Sequence, residues 1–329
     1  MTTVGARDEL VVATETSSSR APARCGSGIG IALLSAAAFG TSGTFGDGLL
    51  RAGWSPGAAV LARIAVSALV LTPPAVIQLR GRWGALRRNA GMVLAYGLIG
   101  VAGCTLCYFY AIGWMPVGVA LLLEYLGAIM VVGWLWVRRG QRPRPLTIAG
   151  AVAAIGGLAL MVGVRGPGGI GAIGVVWGLL AAVCMAVFVF LSERPGPAGG
   201  GAGAGEPLSP VVLSWAGMCV GSAFLALLGA ARVMPLAASA RDVAFLSYHV
   251  IWVLPVLGLG VLATAVGYIT GVAAVRSLGP KLASFAGMSE VLFAATFAWL
   301  LLRQTPTAAQ FAGGALILAG VALVRADDS

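Results

Sequence analysis

Residues 173–192 read IGVVWGLLAAVCMAVFVFLS, twenty positions without one charged side chain. At 1.5 Å per residue a helix of that length covers about 30 Å, the thickness of a bilayer's hydrocarbon core. Nine more stretches of this kind flank it, at 27–46, 57–78, 91–113, 117–137, 146–164, 210–230, 250–275, 280–302 and 308–325. The long apolar run from 91 to 137 counts as two, because Trp114-Met115-Pro116-Val117-Gly118 carries the Pro and Gly of a tight turn. The expected fold class is therefore an all-α membrane protein of ten transmembrane helices.

Composition points the same way. Hydrophobic residues make up 59% of the chain and charged residues 10%, against roughly a quarter charged in soluble domains. The formal charge of +10 would suggest nucleic acid in a soluble protein. Here the charges sit in alternate loops, which is the positive-inside pattern. One set of loops and ends holds Arg7, Arg20, Arg24, Arg80, Arg82, Arg87, Arg88, Arg138, Arg139, Arg142, Arg144, Arg194, Arg276, Lys281 and Arg325; the other holds Arg51, Arg165, Arg232, Arg241 and Arg303. This bias predicts both termini in the cytoplasm, an even number of spans, residence in the cell membrane, the lipid bilayer as partner and no nucleic acid. Residues 1–26 are polar and read as a disordered cytoplasmic tail, with a short tail again at 326–329.

The second half of the chain echoes the first. Leu33-Leu34-Ser35-Ala36-Ala37 answers to Leu179-Leu180-Ala181-Ala182-Val183, and Ser55-Pro56 to Ser209-Pro210. Glu124 in the fourth span answers to Glu290 in the ninth. Ala149-Gly150 with Gly157-Leu158-Ala159-Leu160 answers to Ala312-Gly313 with Gly320-Val321-Ala322-Leu323. Each unit holds five spans, 27–164 and 173–325. An odd number makes the second unit enter the membrane from the opposite side, an inverted repeat as found in secondary transporters. The region 165–208 holds the sixth span and then 193–208, a Gly-, Ala- and Pro-rich stretch that reads as a flexible cytoplasmic linker.

Of eleven acidic residues, Glu124 and Glu290 alone fall well inside predicted spans, roughly 10 and 15 Å from their starts. A charge at mid-bilayer costs at least about 2.5–3.5 kcal/mol and usually faces a cavity or a substrate path. Arg63, inside the second span, is the third embedded charge; it pairs with a glutamate, takes a substrate carboxylate, snorkels to an edge or bonds backbone carbonyls. Tyr108, Tyr110, Tyr125 and Tyr268 add polar tips on aromatic bodies, and Thr105, Thr264, Thr270, Ser284 and Ser289 add hydroxyls. Packing is the plain alternative for each of these. Trp114, Trp134, Trp136 and Trp252 fit an interfacial belt. Cys104, Cys107, Cys184 and Cys219 read as packing residues and Cys25 as part of the tail. A zinc site needs further ligands, and the one histidine is His249. No metal and no cofactor is expected. Gly258 and Gly260 follow no strand, which removes a dinucleotide-binding reading.

The stretch 107–128, CYFYAIGWMPVGVALLLEYLGA, carries Pro116, Gly118, Ala120, Leu123, Glu124, Tyr125 and Gly127. It resembles the PxGxAxxLE[FY]xGP signature of the threonine/homoserine exporter branch of the drug/metabolite transporter superfamily, with Ala128 in place of the last proline. The two-repeat plan over 27–325 is similar to EamA-type transporters. Arg63 fits their pattern, and Met288-Ser289-Glu290 resembles a displaced form of the second-half Met-Glu-Pro segment. Departures are Val291 for that proline and Arg303-Gln304 where Gly-Glu is common. The resemblance implies a central cavity built by the third, fourth, eighth and ninth spans, hence by Tyr110, Glu124, Tyr268 and Glu290.

The reading is a secondary transporter, not an enzyme, that exports amino acids or related small metabolites by alternating access with proton coupling, as a monomer or homodimer. Glu124 binds a substrate amine or a proton, exclusively, and Glu290 acts as its partner. Efflux of lipophilic cations is the alternative within transport. A membrane subunit that transports nothing is the alternative outside it.

Overall fold

The structure is a computed structural model that describes residues 21–112, 114, 117–140, 144–162, 172–193, 208–245, 248–302 and 308–328. The expected tail 1–20, most of the linker, the centre of the 114–118 turn and Arg303-Gln304 lie outside the described residues.

Helix α1 (Ala21–Gly40) is followed without a loop by α2 (Ser42–Arg51). Two expectations are corrected here. Residues 21–26 are helical rather than tail, and the first span, expected unbroken over 27–46, breaks at Thr41. Gly40, Gly43, Gly46 and Gly48 crowd this segment, and glycine is a poor helix former. Next come α3 (Pro56–Leu79), the short α4 (Trp83–Arg88) and α5 (Ala90–Ala111). Then follow α6 (Val117–Arg139), α7 (Pro145–Val162), α8 (Ala172–Ser192) and α9 (Pro210–Ala230). A two-stranded antiparallel hairpin, β1 (Val243–Phe245) and β2 (Tyr248–Val250), precedes α10 (Val253–Gly287). Helices α11 (Glu290–Leu302) and α12 (Ala308–Asp328) complete the chain.

Among the described residues this hairpin is the only extended element, and it lies just before the predicted eighth span 250–275, ending on its first residue. Residues 243–250 are rich in Val, Phe and Tyr, types that suit a pleated strand. Among the described residues five helices are long and apolar enough to cross a membrane: α3, α5, α8, α9 and α10. Gly28–Gly40, Pro145–Gly157 and Phe311–Val324 are shorter apolar helices.

The repeat seen in the sequence recurs in local chemistry. Ser55 caps α3 by accepting from the Ala58 N–H, and Ser209 caps α9 by accepting from the Val212 N–H, each with proline at the first helical position. It recurs in packing. A Cβ built on Gly97 would lie 2.6 Å from the Gly217 carbonyl oxygen and 2.7 Å from Val220 Cβ. A Cβ built on Gly260 would lie 3.2 Å from the Arg63 carbonyl oxygen and 2.7 Å from Val66 Cβ. Arg63 and Gly217 stand seven residues after their prolines, and Val66 and Val220 ten, so the two contacts exchange under the repeat. Between α7 and α12, Gly150 meets Gly320 and Gly157 meets Gly313, close approaches that only small residues permit. These four glycines are mutual equivalents, and the pairing runs antiparallel. A two-fold axis that exchanges two antiparallel neighbours is perpendicular to them, which is the geometry of an inverted repeat.

The ends of the bundle differ. Gly28 near the start of α1 lies against Ser277 and Leu278, and the end of α12 reaches Lys281 through Asp327. Both described termini therefore lie at one end, hereafter the terminal end. At this end Arg276 donates to the carbonyls of Ser192 (3.1 Å) and Leu208 (2.6 Å). At the far end α2 and the hairpin pack with Trp54, Ala58, Val256 and Leu259 into one apolar cluster.

Candidate functional site

Three irregularities in the helices shape the middle of the bundle. Helix α5 widens into π-helical turns over Tyr96–Gly103, and α10 does so over Gly258–Val266. Wide turns of this kind concentrate at functional sites. Each is followed by a residue that bonds a facing helix, in exchanged roles. The Ser35 hydroxyl donates to the Gly267 carbonyl at 2.9 Å, while the Cys104 thiol lies 3.8 Å from the Ala181 carbonyl. The third irregularity is a double break. Gly279 takes φ +80°, a conformation glycine adopts without penalty, and Pro280 restarts the helix. The helix then breaks again at Met288 and Ser289, so the predicted ninth span 280–302 is two segments, with Glu290 opening α11.

A cavity of about 140 Å³ lies between these irregularities, lined by α1, α2, α3, α5, α6, α8, α10 and α11. The structure brings six of the seven sequence-predicted residues to its wall: Arg63, Tyr108, Glu124, Tyr125, Tyr268 and Glu290. Tyr110 is the exception. Its ring stacks on Trp177 with centroids 5.1 Å apart. It follows Tyr108 by two residues, about 200° around a helix, so the two cannot share a face.

Both glutamates have a partner with a choice of acceptor. The Tyr125 hydroxyl lies 2.6 Å from Glu290 Oε2 and 3.0 Å from the Gly287 carbonyl oxygen. The Cys104 thiol lies 3.2 Å from Glu124 Oε1, with the Ala181 carbonyl as its second acceptor. Each O–H or S–H donates to the carboxylate when it is charged. When the carboxyl carries a proton, it can donate in turn, and the neighbour's own hydrogen turns to the backbone carbonyl. Neither protonation state leaves a buried polar group unpaired, which would otherwise cost about 1–3 kcal/mol.

Arg63 is 4% exposed. Its Nε donates to Thr264 Oγ1 at 2.9 Å and its Nη1 to Ser42 Oγ at 3.1 Å. Of the alternatives read from sequence, direct pairing with a glutamate does not occur: among the described residues no carboxylate forms an ion pair with it. Tyr268 stands between Phe39 and Phe188, edge to face with both at 5.2 and 5.4 Å. Its hydroxyl lies 3.4 Å from Thr105 Oγ1.

Of the hydroxyl candidates, Thr105 and Ser284 line the cavity. Thr264 sits behind it on Arg63, and Thr270 bonds its own helix at Val266. Among the described residues the Ser289 hydroxyl is buried without a partner. Cys104, read from sequence as packing, lines the cavity beside Glu124; Phe39, Phe188 and Ser42 were not singled out at all. Cys104 precedes Tyr108 by four residues, and that same-face spacing was the signal for it. The other three stand in stretches where nothing but the fold distinguishes them. Trp134 and Trp136 are half exposed, as a belt requires, whereas Trp252 packs on Trp54. Among the described residues no cluster of His, Cys, Asp and Glu could hold a metal ion.

Comparison with known proteins places this architecture. The EamA-like transporter family matches residues 26–163 and again residues 172–326. The chain belongs to the EamA-like transporter family. Its members are membrane transporters of the drug/metabolite superfamily and not enzymes. The double match gives the internal repeat its two units. Solved structures share the fold: one crystal structure superposes with a TM-score of 0.67 at 20% identity, covering 92% of this chain and 99% of the other. No curated protein matches the sequence.

Proposed function

We propose that this EamA-family protein is a ten-span secondary transporter of the cell membrane, with both termini cytoplasmic, that exports amino acids or related small metabolites in exchange for protons. The observation that carries this reading is the pairing of Glu124 and Glu290 on one cavity wall, each with a neighbour that stays hydrogen-bonded in either protonation state. A carboxylate there binds an ammonium group or a proton but not both. Loading a proton from one side releases the amine, and losing it to the other side readmits the next substrate. The inverted repeat supports alternating access, because exchanging the conformations of the two units exchanges the open side.

The test is uptake into inside-out proteoliposomes, across labelled amino acids and organic cations, with and without a proton gradient. Gradient-driven movement of an amino acid is the expected outcome. Glu124→Gln, which keeps the shape and removes the exchangeable charge, abolishes it. Intact coupled transport in that variant overturns the role of Glu124. The apolar wall of Phe39, Leu121 and Phe188 beside two carboxylates favours lipophilic cations as the second reading, and movement of cations alone would select it.

A further inference from the structure

We propose that Arg63 is an anion subsite that takes the carboxylate of a zwitterionic substrate, with Thr264 and Ser42 as its positioning residues. This rests on the transport reading above and narrows its substrate to molecules that carry a carboxylate together with an ammonium group.

The setting of Arg63 orients a cation without neutralising it. Its two side-chain partners among the described residues are uncharged hydroxyls. The Thr264 hydroxyl spends its own proton on the Leu259 carbonyl at 2.7 Å, inside the π-helical turns of α10, so its lone pairs are left for the guanidinium. The Arg63 backbone is held as well: Ser67 Oγ lies 2.6 Å from the Arg63 carbonyl and 2.6 Å from the Gly260 carbonyl. Among the described residues no carboxylate touches the guanidinium. Nη2 has no partner among the described residues, and the side chain lines the cavity. A buried cation without a counter-charge in contact is costly, and a bound carboxylate reduces that cost through charge-assisted hydrogen bonds in the planar geometry that guanidinium offers.

The repeat sharpens the argument. The exchange that pairs Arg63 with Gly217 pairs Thr264 with Val101, four residues beyond Gly260 and Gly97 respectively. The guanidinium and its tether thus occur once, whereas the glutamates occur in both halves. A ligand meets one cationic pole on α3 and an acidic wall from α6 and α11. An amino acid matches both poles in one orientation. A monocation matches the acids and is repelled at Arg63. A phosphorylated metabolite meets one cation against two carboxylates.

The experiment compares each labelled L-amino acid with its methyl ester and its decarboxylated amine, as competitors for binding to the detergent-solubilised full-length protein and for proteoliposome transport. In the wild type the ester and the amine compete at least about tenfold more weakly than the acid. In Arg63→Gln this preference disappears, and Thr264→Val, which keeps the charge and loosens its aim, reduces it part-way. Thermal unfolding of both variants verifies that they fold. Equal competition by ester and acid in the wild type, or a preference that survives Arg63→Gln, overturns the subsite. If amines and organic cations alone bind and move, the subsite falls while transport stands as cation efflux. If no probe binds or moves, the amino-acid reading falls and takes the subsite with it.

Discussion

At the scale of single residues, the two carboxylates were legible because the bilayer makes charge conspicuous. In a chain with 10% charged residues, Glu124 and Glu290 stand out inside apolar spans, and both line the cavity. Of their partners, Tyr125 stands out in the sequence as a polar tip beside Glu124, but its bond to Glu290 across the fold was not legible, and Cys104 reads as packing because a thiol carries no charge to mark it. Tyr125 gives a prediction that separates coupling from binding. In Tyr125→Phe, Glu290 loses its 2.6 Å donor and the Gly287 carbonyl loses its alternative. Gradient-driven transport is expected to fall about tenfold, the worth of one buried hydrogen bond to a charged group. Substrate counterflow, which needs no net proton movement, should persist. Equal loss of both activities would make Tyr125 a binding or packing residue. Tyr110 shows the converse limit. It has the right chemistry on the wrong side of the helix, and the two-residue step from Tyr108 was enough to exclude it.

At the scale of elements, apolar length found the helices and missed their interruptions. The breaks at Thr41 and Met288–Ser289 and the two π-helical segments lie inside stretches that are apolar on average, so hydropathy passes over them, whereas the break at Gly279 falls in the gap between the eighth and ninth predicted spans. They are also the places where α1, α5 and α10 turn polar groups into the cavity. The repeat was the more informative sequence signal, because it paired Gly150 and Gly157 with Gly313 and Gly320 before any contact was known. The α7–α12 contact follows from those small residues. At Gly157 an added Cβ would stand 2.5 Å from the Gly313 carbonyl oxygen and 2.8 Å from the Ile317 nitrogen, backbone atoms that cannot swing away. At the adjacent Gly156 it would meet nothing within 4 Å. Gly157→Leu is therefore expected to destabilise the protein by about 3 kcal/mol, and Gly156→Leu to stay within about 0.5 kcal/mol of the parent. Thermal unfolding in detergent compares them, and equal effects would mean that the glycines do not set the helix contact.

At the scale of the whole molecule, two pseudo-equivalent halves would favour neither side of the membrane unless something tells them apart. The terminal end supplies a difference. Lys281, two residues beyond the Gly279 break, forms an ion pair with Asp327 at 3.3 Å. The Thr147 hydroxyl bonds the same carboxylate, and Arg144 donates to the Asp327 carbonyl at 3.0 Å. The segment 280–287, which carries Ala283, Ser284 and Gly287 of the cavity wall, is thereby tied to α7 and α12. Under the repeat, Asp327 falls on Val164, each seven residues past its glycine, and Lys281 after Pro280 falls on Val117 after Pro116. The first half has no charged counterpart of the tie. Asp327→Asn should loosen the terminal-end wall and leave the far end unchanged. Cys104 is a native reporter, because its thiol lines the cavity. An impermeant maleimide added from the terminal side, with labelled sites assigned by mass spectrometry, should modify Cys104 about tenfold faster in Asp327→Asn. That factor corresponds to about 1–2 kcal/mol, between an exposed and a buried ion pair. Exchanging the charges in Lys281→Asp with Asp327→Lys should restore slow labelling. Unchanged labelling from the terminal side, or faster labelling from both sides, would mean that the tie stabilises the fold without biasing access.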